Sequence, residues 1–316
     1  MQPQRILILG TGVVGQIFGG MLHRAGHLVT FFTRPDRVDT LRTEGIRLML
    51  RKNRTELRIS GLRATEDILL FDEYDWVLVC FRGEQVDEAE ALLTRRSVGP
   101  AQIVWCMPLW PQHAEELAAR VPRSHYLMPG VSGVYRPDHI EAAIRRTELA
   151  PLGESDEADS RALASLLTAA GLPARLRRAL PERIAGGIAI LFPLLLGLAT
   201  EDWHLPNLRR NKARLRLVHA AQVEALQLLS AEGVQLPRST SSYGRMHPAL
   251  FTAAFRVVTP CLPAFARDML TVHFRKTHAQ QIAMLRELCA RAPSGNAPVL
   301  HQLIALAEAK ERTGPA

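Results

Sequence analysis

Up to about residue 180, the chain alternates short apolar runs with amphipathic stretches. The apolar runs are rich in Val, Ile, Leu and aromatic residues at consecutive positions, which is typical of strands buried on both faces of a parallel sheet. Strands that alternate with helices predict an α/β fold with a mostly parallel sheet covered by helices. The predicted strands are Arg5–Leu9, Leu28–Thr33, Trp76–Phe81, Ile103–Met107 and His125–Met128.

Further short runs lie between and after these strands. Ile46–Arg51 and Glu56–Ser60 flank a polar turn, and we expect them to form an inserted hairpin. Ile140–Ile144 and Thr147–Pro151 predict a second hairpin. Ser155–Ala170 has acidic residues near its start and a glycine just after it, which predicts a capped helix that covers the sheet.

From about Leu180 to Lys310 almost every segment has helical periodicity, so the second domain is expected to be all-helical. The predicted boundary gives domains over residues 1–179 and 180–316. Ile184–Thr200 carries no charge, but it is short for a membrane span and is interrupted by glycines and a proline. It predicts a buried pair of helices instead. Later helices are predicted at Arg214–Ala231, Lys276–Ala290 and Pro298–Glu311.

The amino-acid composition indicates which kinds of binding partner to expect. Hydrophobic residues form 47% of the chain and charged residues 22%, as in soluble globular proteins, so disorder is not expected. The net charge is +8, but the arginines are scattered and no basic and aromatic platform accompanies them. We therefore expect a solvated, arginine-rich surface and neither a nucleic-acid nor a membrane partner.

The four cysteines show no Cys-x-x-Cys spacing and are expected to be buried and reduced. The chain begins with a strand and not with an apolar signal segment, which favours a cytoplasmic location. His273 and His278 are five positions apart, whereas two ligands on one helix face lie three or four apart, so no metal site is expected.

The run Gly10-Thr11-Gly12-Val13-Val14-Gly15 joins the first strand to a helical stretch that Gly26 ends, and a second strand follows. This is the context in which Gly-x-Gly-x-x-Gly binds a dinucleotide. Gly10 permits a tight turn, Gly12 lets the backbone approach the pyrophosphate, and Gly15 lets the helix pack on the strand. The pyrophosphate would lie at the helix N-terminus. The sequence therefore predicts a Rossmann-type dinucleotide site.

The end of the second strand indicates which dinucleotide binds. An acidic residue there would accept a hydrogen bond from a ribose 2′-hydroxyl, but this chain has Thr33-Arg34-Pro35-Asp36-Arg37. Arg34 is positioned to bind a 2′-phosphate, with Arg37 as a second donor, so NADP is the expected cofactor. The alternative is that Arg34 is only an exposed loop charge.

Four segments together resemble the ketopantoate reductase (2-dehydropantoate 2-reductase) family. They are Ile8–Arg34, Val77–Val86, Phe192-Pro193-Leu194 and Gln222–Gly233. The resemblance implies an NADPH-dependent reductase of a 2-keto acid, with a Rossmann domain followed by a helical domain. It adds Arg82, where the family usually has a Lys, and Pro108, in the loop after the fourth predicted strand, to the expected cofactor-binding residues.

When the family's catalytic residues are matched one by one to positions of this chain, none of them is present. Its Lys falls on Ile184, two Asn positions fall on Ile188 and Phe192, and its Asn-Gly falls within Met107-Pro108-Leu109-Trp110. Its Glu falls on His278, or on Gln280 if the alignment slips by two. Because loss of a positioned general acid typically costs about 10²–10⁴-fold in rate, we expect that ketopantoate is not the substrate and that the pocket suits a less polar molecule.

Three residues are candidates for the remaining chemistry: His278 as proton donor, Arg183 as a carboxylate ligand, and Asp268. For His278 the alternative is a helix-packing histidine, and for Arg183 a helix-end charge. Trp105 and Trp110 could cover a nicotinamide, but packing is the preferred interpretation. Two functions stay open, an NADPH-dependent oxidoreductase and a catalytically silent NADPH-binding relative, each with a small-molecule ligand and a possible homodimer through the helical domain.

Overall fold

The structure of the chain is a computed structural model that describes residues 2–67, 71, 73–95, 99–291 and 297–313. The chain divides into two compact units, Met1–Pro181 and Glu182–Ala316. The first contains two β-sheets with helices, and the described part of the second is entirely helical.

The larger sheet of the first unit has eight strands. These are β1 (Arg5–Leu9), β2 (Leu28–Phe32), β5 (Arg63–Thr65), β6 (Trp76–Val79), β7 (Gln102–Trp105), β8 (Ser124–Met128), β11 (Thr147–Pro151) and β12 (Ala174–Leu176). Their order is β12-β11-β8-β7-β6-β1-β2-β5, and only the β11–β8 pair is antiparallel. The five predicted strands are confirmed as β1, β2, β6, β7 and β8, each end lying within two residues of its predicted position.

The order of the six strands from β5 to β8 is that of doubly wound dinucleotide-binding sheets. Chain order reverses between β1 and β6, and ligands of such sheets bind at this point, beyond the carboxyl ends of the strands. The loops after β1, β2, β6 and β7 therefore meet along one edge of the sheet.

Five helices accompany the sheets of the first unit. They are α1 (Val13–Arg24), α2 (Pro35–Thr43), α3 (Val86–Thr94), α4 (Pro111–Arg120) and α5 (Glu157–Ala169). The predicted cap of α5 is confirmed, because the Asp156 carboxylate accepts a hydrogen bond from the backbone N–H of Ala158 at 2.8 Å. α1 packs against both sheets, and one apolar core joins Phe18 of this helix to Ile8 and Phe31 on one side and to Ile46 and Ile59 on the other.

The smaller sheet has the strand order β4-β3-β10-β9. Its strands are β3 (Ile46–Leu50), β4 (Thr55–Ile59), β9 (Val131–Tyr135) and β10 (Ile140–Ile144). β3 and β4 pair antiparallel, which confirms the inserted hairpin.

The predicted hairpin of Ile140–Ile144 with Thr147–Pro151 is wrong. β10 pairs with β9 and β3 in the smaller sheet, whereas β11 pairs with β8 and β12 in the larger one. The two residues between them, Arg145 and Arg146, are not the Asn-Gly or Gly-x pairs that a two-residue hairpin requires. The chain instead crosses from one sheet to the other at this point.

The second unit contains eight described α-helices, together with short 3₁₀ and π segments. The helices are α6 (Leu180–Ala199), α7 (Leu205–Arg210), α8 (Lys212–Ala231), α9 (Arg238–Tyr243), α10 (Pro248–Val258), α11 (Ala264–Asp268), α12 (His278–Arg291) and α13 (Pro298–Thr313). The all-helical prediction and the three later predicted helices, now α8, α12 and α13, are confirmed.

The apolar segment is one helix, α6, and not the predicted pair. Pro193 lies inside it and gives no N–H to the carbonyl of Ala189, but the Gln222 side-chain amide of α8 donates to the next carbonyl, that of Ile190, at 2.6 Å. Gly197 does not break the helix either. A Cβ there would lie 2.2 Å from Val218, so this glycine allows α6 and α8 to pack closely.

By length and composition alone, α6 is also the one described helix that could cross a membrane. However, 61% of its most apolar window is buried inside the protein, as in the core helix of a soluble protein. The prediction that this segment is buried is confirmed.

Candidate functional site

The glycine-rich loop lies between the end of β1 and the start of α1, at the point where the strand order reverses. Gly10 has a φ of +95°, in the left-handed region, and its N–H donates to the carbonyl of Phe32 at 3.2 Å. At Gly15 a Cβ would lie 2.0 Å from the carbonyl oxygen of Gly10. Both glycines are therefore required by the folded backbone itself.

Gly12 differs from the other two, because a Cβ built on it meets no atom within 4 Å and its φ of −68° suits any residue. It is the N-cap of α1, no side chain caps this helix, and the first turn contains no acidic residue. The uncapped N–H groups and the helix dipole favour an anion here. The open space over Gly12 leaves room for the backbone to approach a phosphate.

A hydrogen-bonded cluster holds the loop from two sides. The Thr11 hydroxyl lies 2.6 Å from that of Thr33, at the end of β2. The Gln16 side-chain amide of α1 donates to the Thr11 carbonyl at 2.8 Å and to the Tyr135 hydroxyl at 2.9 Å. The Tyr135 hydroxyl lies 3.5 Å from the Thr11 carbonyl, to which it donates. Sequence analysis missed Tyr135, because it ends a strand that was not predicted, 124 positions from Thr11.

Arg34 and Arg37 lie at the start of α2, directly after β2. The Arg34 side chain is 77% exposed, and its Nε lies 3.6 Å from the Asp36 carboxylate. Arg37 is half-buried, and its guanidinium interacts with the Tyr135 hydroxyl. Burial raises the pKa of Tyr135, while Arg37 and Gln16 act to lower that pKa. The phenol is therefore neutral at pH 7 and keeps the proton that it donates to the Thr11 carbonyl.

The other two expected cofactor-binding residues follow the neighbouring strands β6 and β7, at the same carboxyl-end edge of the larger sheet. Arg82 is exposed after β6, where it precedes the short 3₁₀ helix Gly83–Gln85, and Pro108 is half-buried after β7. Trp105 and Trp110 are fully buried, and the Trp105 Nε1–H donates to the Ser124 hydroxyl at 3.0 Å. The preferred interpretation of both tryptophans as packing residues is confirmed.

On α6, the positions that match the family's Lys and two Asn residues follow one another at intervals of four, so they share a face of the helix. They are Ile184, Ile188 and Phe192, and the last two are buried. A face that would be polar in the family is apolar here. Arg183, beside Ile184, is exposed.

His278 lines a pocket of about 230 Å³ in the second unit, with Asp202 and Trp203 after α6, Arg275 before α12, and Lys310 near the end of α13. Its side chain is only 7% exposed, and neither ring nitrogen has a hydrogen-bond partner within the described residues. The Trp203 ring packs edge-on against the imidazole at 5.4 Å between centroids. Lys310 and Asp202 form an ion pair at 2.9 Å on the pocket wall.

The imidazole of His278 is neutral at pH 7. Burial lowers its pKa, while Gln281 and the carboxylates of Glu308 and Glu311 partly oppose this. The Gln281 amide is near enough to affect the pKa, but it hydrogen-bonds to the Phe274 carbonyl and the Thr277 hydroxyl instead of the imidazole. A neutral imidazole with two unpartnered nitrogens can donate one hydrogen bond and accept another.

The structure does not bring the three catalytic candidates together. The His278 pocket includes Ala199, at the end of α6, and Arg183 lies near the beginning of that helix, roughly 24 Å away along its axis. Asp268 ends α11 and does not line the pocket. Within the described residues no group of three or more His, Cys, Asp and Glu side chains could hold a metal ion.

The fold and the loop define a protein with a Rossmann-type unit followed by a helical unit. Residues 6–136 match the family model described as ketopantoate reductase PanE/ApbA, which confirms the resemblance seen in the sequence. No curated protein sequence is significantly similar to the chain.

Solved structures of similar fold cover almost the whole chain. A PanE/ApbA family ketopantoate reductase from Ralstonia eutropha JMP134 is 20% identical, with a TM-score of 0.76, over 98% of this chain and 99% of that one. D-mandelate dehydrogenase, in a complex with NADH and anilino(oxo)acetate, is 18% identical, with a TM-score of 0.72, over 98% and 99% of the two chains. Dimeric ketopantoate reductase from Staphylococcus aureus is 13% identical, with a TM-score of 0.66, over 97% and 99%. The described part of the chain therefore has the fold of ketopantoate reductases.

Proposed function

We propose that the protein is an NADPH-dependent oxidoreductase that reduces a C=O or C=N bond of a small molecule. The observation that carries the proposal is the loop at the strand-order reversal, where Gly12 faces open space beside an uncapped helix N-terminus. The fold is shared with reductases and with a dehydrogenase solved with NADH. NADPH, in preference to NADH, is proposed from the arginines after β2 and the absence of an acidic residue at Thr33 and Arg34.

The residues proposed to hold the cofactor lie along one edge of the larger sheet. Backbone N–H groups of Gly12, Val13 and Val14 bind the pyrophosphate, with Gly10, Thr11 and Gly15 shaping the loop. Arg34 and Arg37 bind the 2′-phosphate, and Arg82 and Pro108 line the cofactor further along the edge. When bound, NADPH supplies the hydride for the reduction.

We propose a substrate less polar than ketopantoate, because Ile184, Ile188 and Phe192 replace the polar positions of the family on one face of α6. Completing the reduction also needs a proton on the product oxygen or nitrogen. His278 is the proposed donor, since its ring nitrogens have no other described partner and the residue lines a pocket. Arg183 and Asp268 are weaker candidates, because neither lines that pocket.

The same apolar face of α6 favours a second function, a silent protein that binds NADPH without turnover. The protein has this second function if no other residue replaces the family's general acid as the proton donor. The two functions share the cofactor site, and they differ only in whether a hydride acceptor exists.

The test is NADPH oxidation at 340 nm against panels of 2-keto acids, ketones and imines, with ketopantoate included. We expect turnover of a less polar member and a ketopantoate rate far below the usual enzyme median of about 10 s⁻¹. With that substrate, His278→Ala should lower kcat by roughly 10²-fold or more, and wild-type activity should rise as the pH falls towards the lowered pKa of His278. His301→Ala, at an exposed histidine of α13, is the matched control.

Tight NADPH binding with no turnover of any class would favour the silent protein. Ketopantoate turnover near the median would overturn the proposed substrate class. Full activity of His278→Ala would remove this histidine from the chemistry.

We further propose a cytoplasmic homodimer that uses the helical unit and needs neither nucleic acid nor membrane. The exposed apolar side chains of α10 are the surface for it, and one protein of this fold is a dimeric ketopantoate reductase.

A further inference from the structure

The Tyr135 hydroxyl has three polar neighbours. It accepts a hydrogen bond from the Gln16 side-chain amide at 2.9 Å and donates to the Thr11 carbonyl at 3.5 Å. The Arg37 guanidinium is close enough to lower the pKa of the phenol. This side chain therefore connects three points: the glycine loop, the first turns of α1 and the start of α2.

The two arginines after β2 differ in how their charges are compensated. Arg34 extends into solvent and has the Asp36 carboxylate at 3.6 Å, which weakens its attraction for a second anion. Arg37 makes no ion pair with any described residue, and its interaction with Tyr135 is with a neutral oxygen. Its charge is therefore not compensated by any described carboxylate, and it lies near the Tyr135 hydroxyl.

We propose that Tyr135 is a cofactor-positioning residue that holds Arg37 beside the glycine loop, and that Arg37, more than Arg34, binds the 2′-phosphate of NADPH. A side chain already fixed near its bound position loses less conformational entropy when the phosphate arrives. The inference rests on the proposed function, since it assigns the cofactor choice of that same site. It also gives the smaller sheet a role, because β9 carries the tyrosine that reaches the loop.

The test is titration of the purified full chain with NADPH and with NADH, followed by nicotinamide fluorescence, for four variants. Arg37→Gln should reduce the preference for NADPH by roughly tenfold or more and leave NADH affinity unchanged. Arg34→Gln should change the preference by less than about threefold. Tyr135→Phe, which keeps the ring, should weaken NADPH binding roughly three- to tenfold and NADH binding less. Tyr74→Phe, before β6 at the opposite edge of the sheet, is the matched control.

A double-mutant cycle separates positioning from folding. If Tyr135 acts through Arg37, Tyr135→Phe should have little further effect on the preference in the Arg37→Gln background. Equal losses for NADPH and NADH in Tyr135→Phe, or a preference that Arg34→Gln abolishes and Arg37→Gln keeps, would overturn the inference and leave the proposed function intact. Absence of binding by either cofactor, with unchanged melting temperatures, would overturn both.

Discussion

At the scale of single residues, the glycines of the loop between β1 and α1 have different physical roles. Gly15 is glycine because the chain leaves no space for a Cβ, which would lie 2.0 Å from the Gly10 carbonyl oxygen. Gly12 has space and an ordinary φ, so the folded protein alone does not require glycine there. The proposed approach of a pyrophosphate would account for glycine at this position.

Two alanine substitutions should therefore separate binding from folding. Gly12→Ala should leave the melting temperature unchanged and weaken NADPH binding at least about tenfold, because its methyl group occupies the space for the pyrophosphate. Gly15→Ala should destabilise the first unit by about 1–3 kcal/mol, because backbone atoms must move apart. Thermal denaturation and cofactor titration measure the two effects. Unchanged NADPH affinity in a well-folded Gly12→Ala would contradict the assigned site.

Only those residues of this site that lie close together in the sequence could be predicted. The loop and the arginines follow one another within 28 positions, so local spacing was sufficient to propose Gly10 to Gly15, Arg34 and Arg37. Tyr135 was not predictable. It reaches the loop through the pairing of a strand far along the chain, and no local pattern encodes that contact.

At the scale of secondary-structure elements, a buried polar network joins β7, β8 and α5. The His125 imidazole lies 2.8 Å from the Ser160 hydroxyl and 2.9 Å from the Gln102 side-chain oxygen. The Gln102 amide donates to Asp159 at 3.1 Å, so its oxygen faces His125 and accepts from Nε2–H. Nδ1 therefore accepts from Ser160. The network needs a neutral imidazole, and burial lowers the pKa of His125 to about 4.

This network should make stability fall in acid. Between pH 6.5, the ordinary pKa of histidine, and about pH 4, the unfolded chain binds a proton at His125 that the folded chain does not bind. Folding is therefore disfavoured progressively as the pH falls through this window, by up to about 3 kcal/mol, whereas above pH 6.5 the histidine adds no pH dependence. His125→Gln, which is always neutral, should lose most of this dependence.

The measurement is urea unfolding at pH 7 and pH 4.5, followed by tryptophan fluorescence, since three of the four tryptophans lie in the first unit. His301→Gln, at an exposed position of the second unit, should keep the wild-type pH dependence. An unchanged slope in His125→Gln would show that the acid loss of stability comes from other groups.

Element prediction failed where long-range pairing or packing decided the outcome. The strands β10 and β11 were identified correctly, but their partners belong to different sheets, which alternation of apolar residues does not reveal. The proline and glycines of α6 indicated a broken helix, yet contacts with α8 hold one continuous helix together. Whether this proline and these glycines break α6 depends on its contacts with α8, which the local sequence does not specify.

At the scale of the whole molecule, one apolar surface has no described partner within the chain. α10 exposes Leu250 by 60%, Val257 by 71% and Val258 by 56%. Scattered exposed apolar residues are ordinary, but three on one short helix form a patch. A second copy of the chain is the proposed occupant, because a two-fold dimer places the same patch of both chains face to face.

Substitution at the centre of this patch should therefore change the oligomeric state. We expect a dimer by light scattering coupled to size-exclusion chromatography at micromolar concentration. Val257→Lys should shift it to the monomer, since a buried lysine pair would repel and lose hydration. Leu28→Lys is the matched control, because Leu28 is an exposed apolar residue of the first unit, and it should leave the mass unchanged.

A stable specific dimer buries about 1,200–2,000 Å² in total. One helix of eleven residues supplies less than this area, so neighbouring helices must also contribute to the interface. A wild-type monomer, or a Val257→Lys variant that stays dimeric, would remove α10 from the interface.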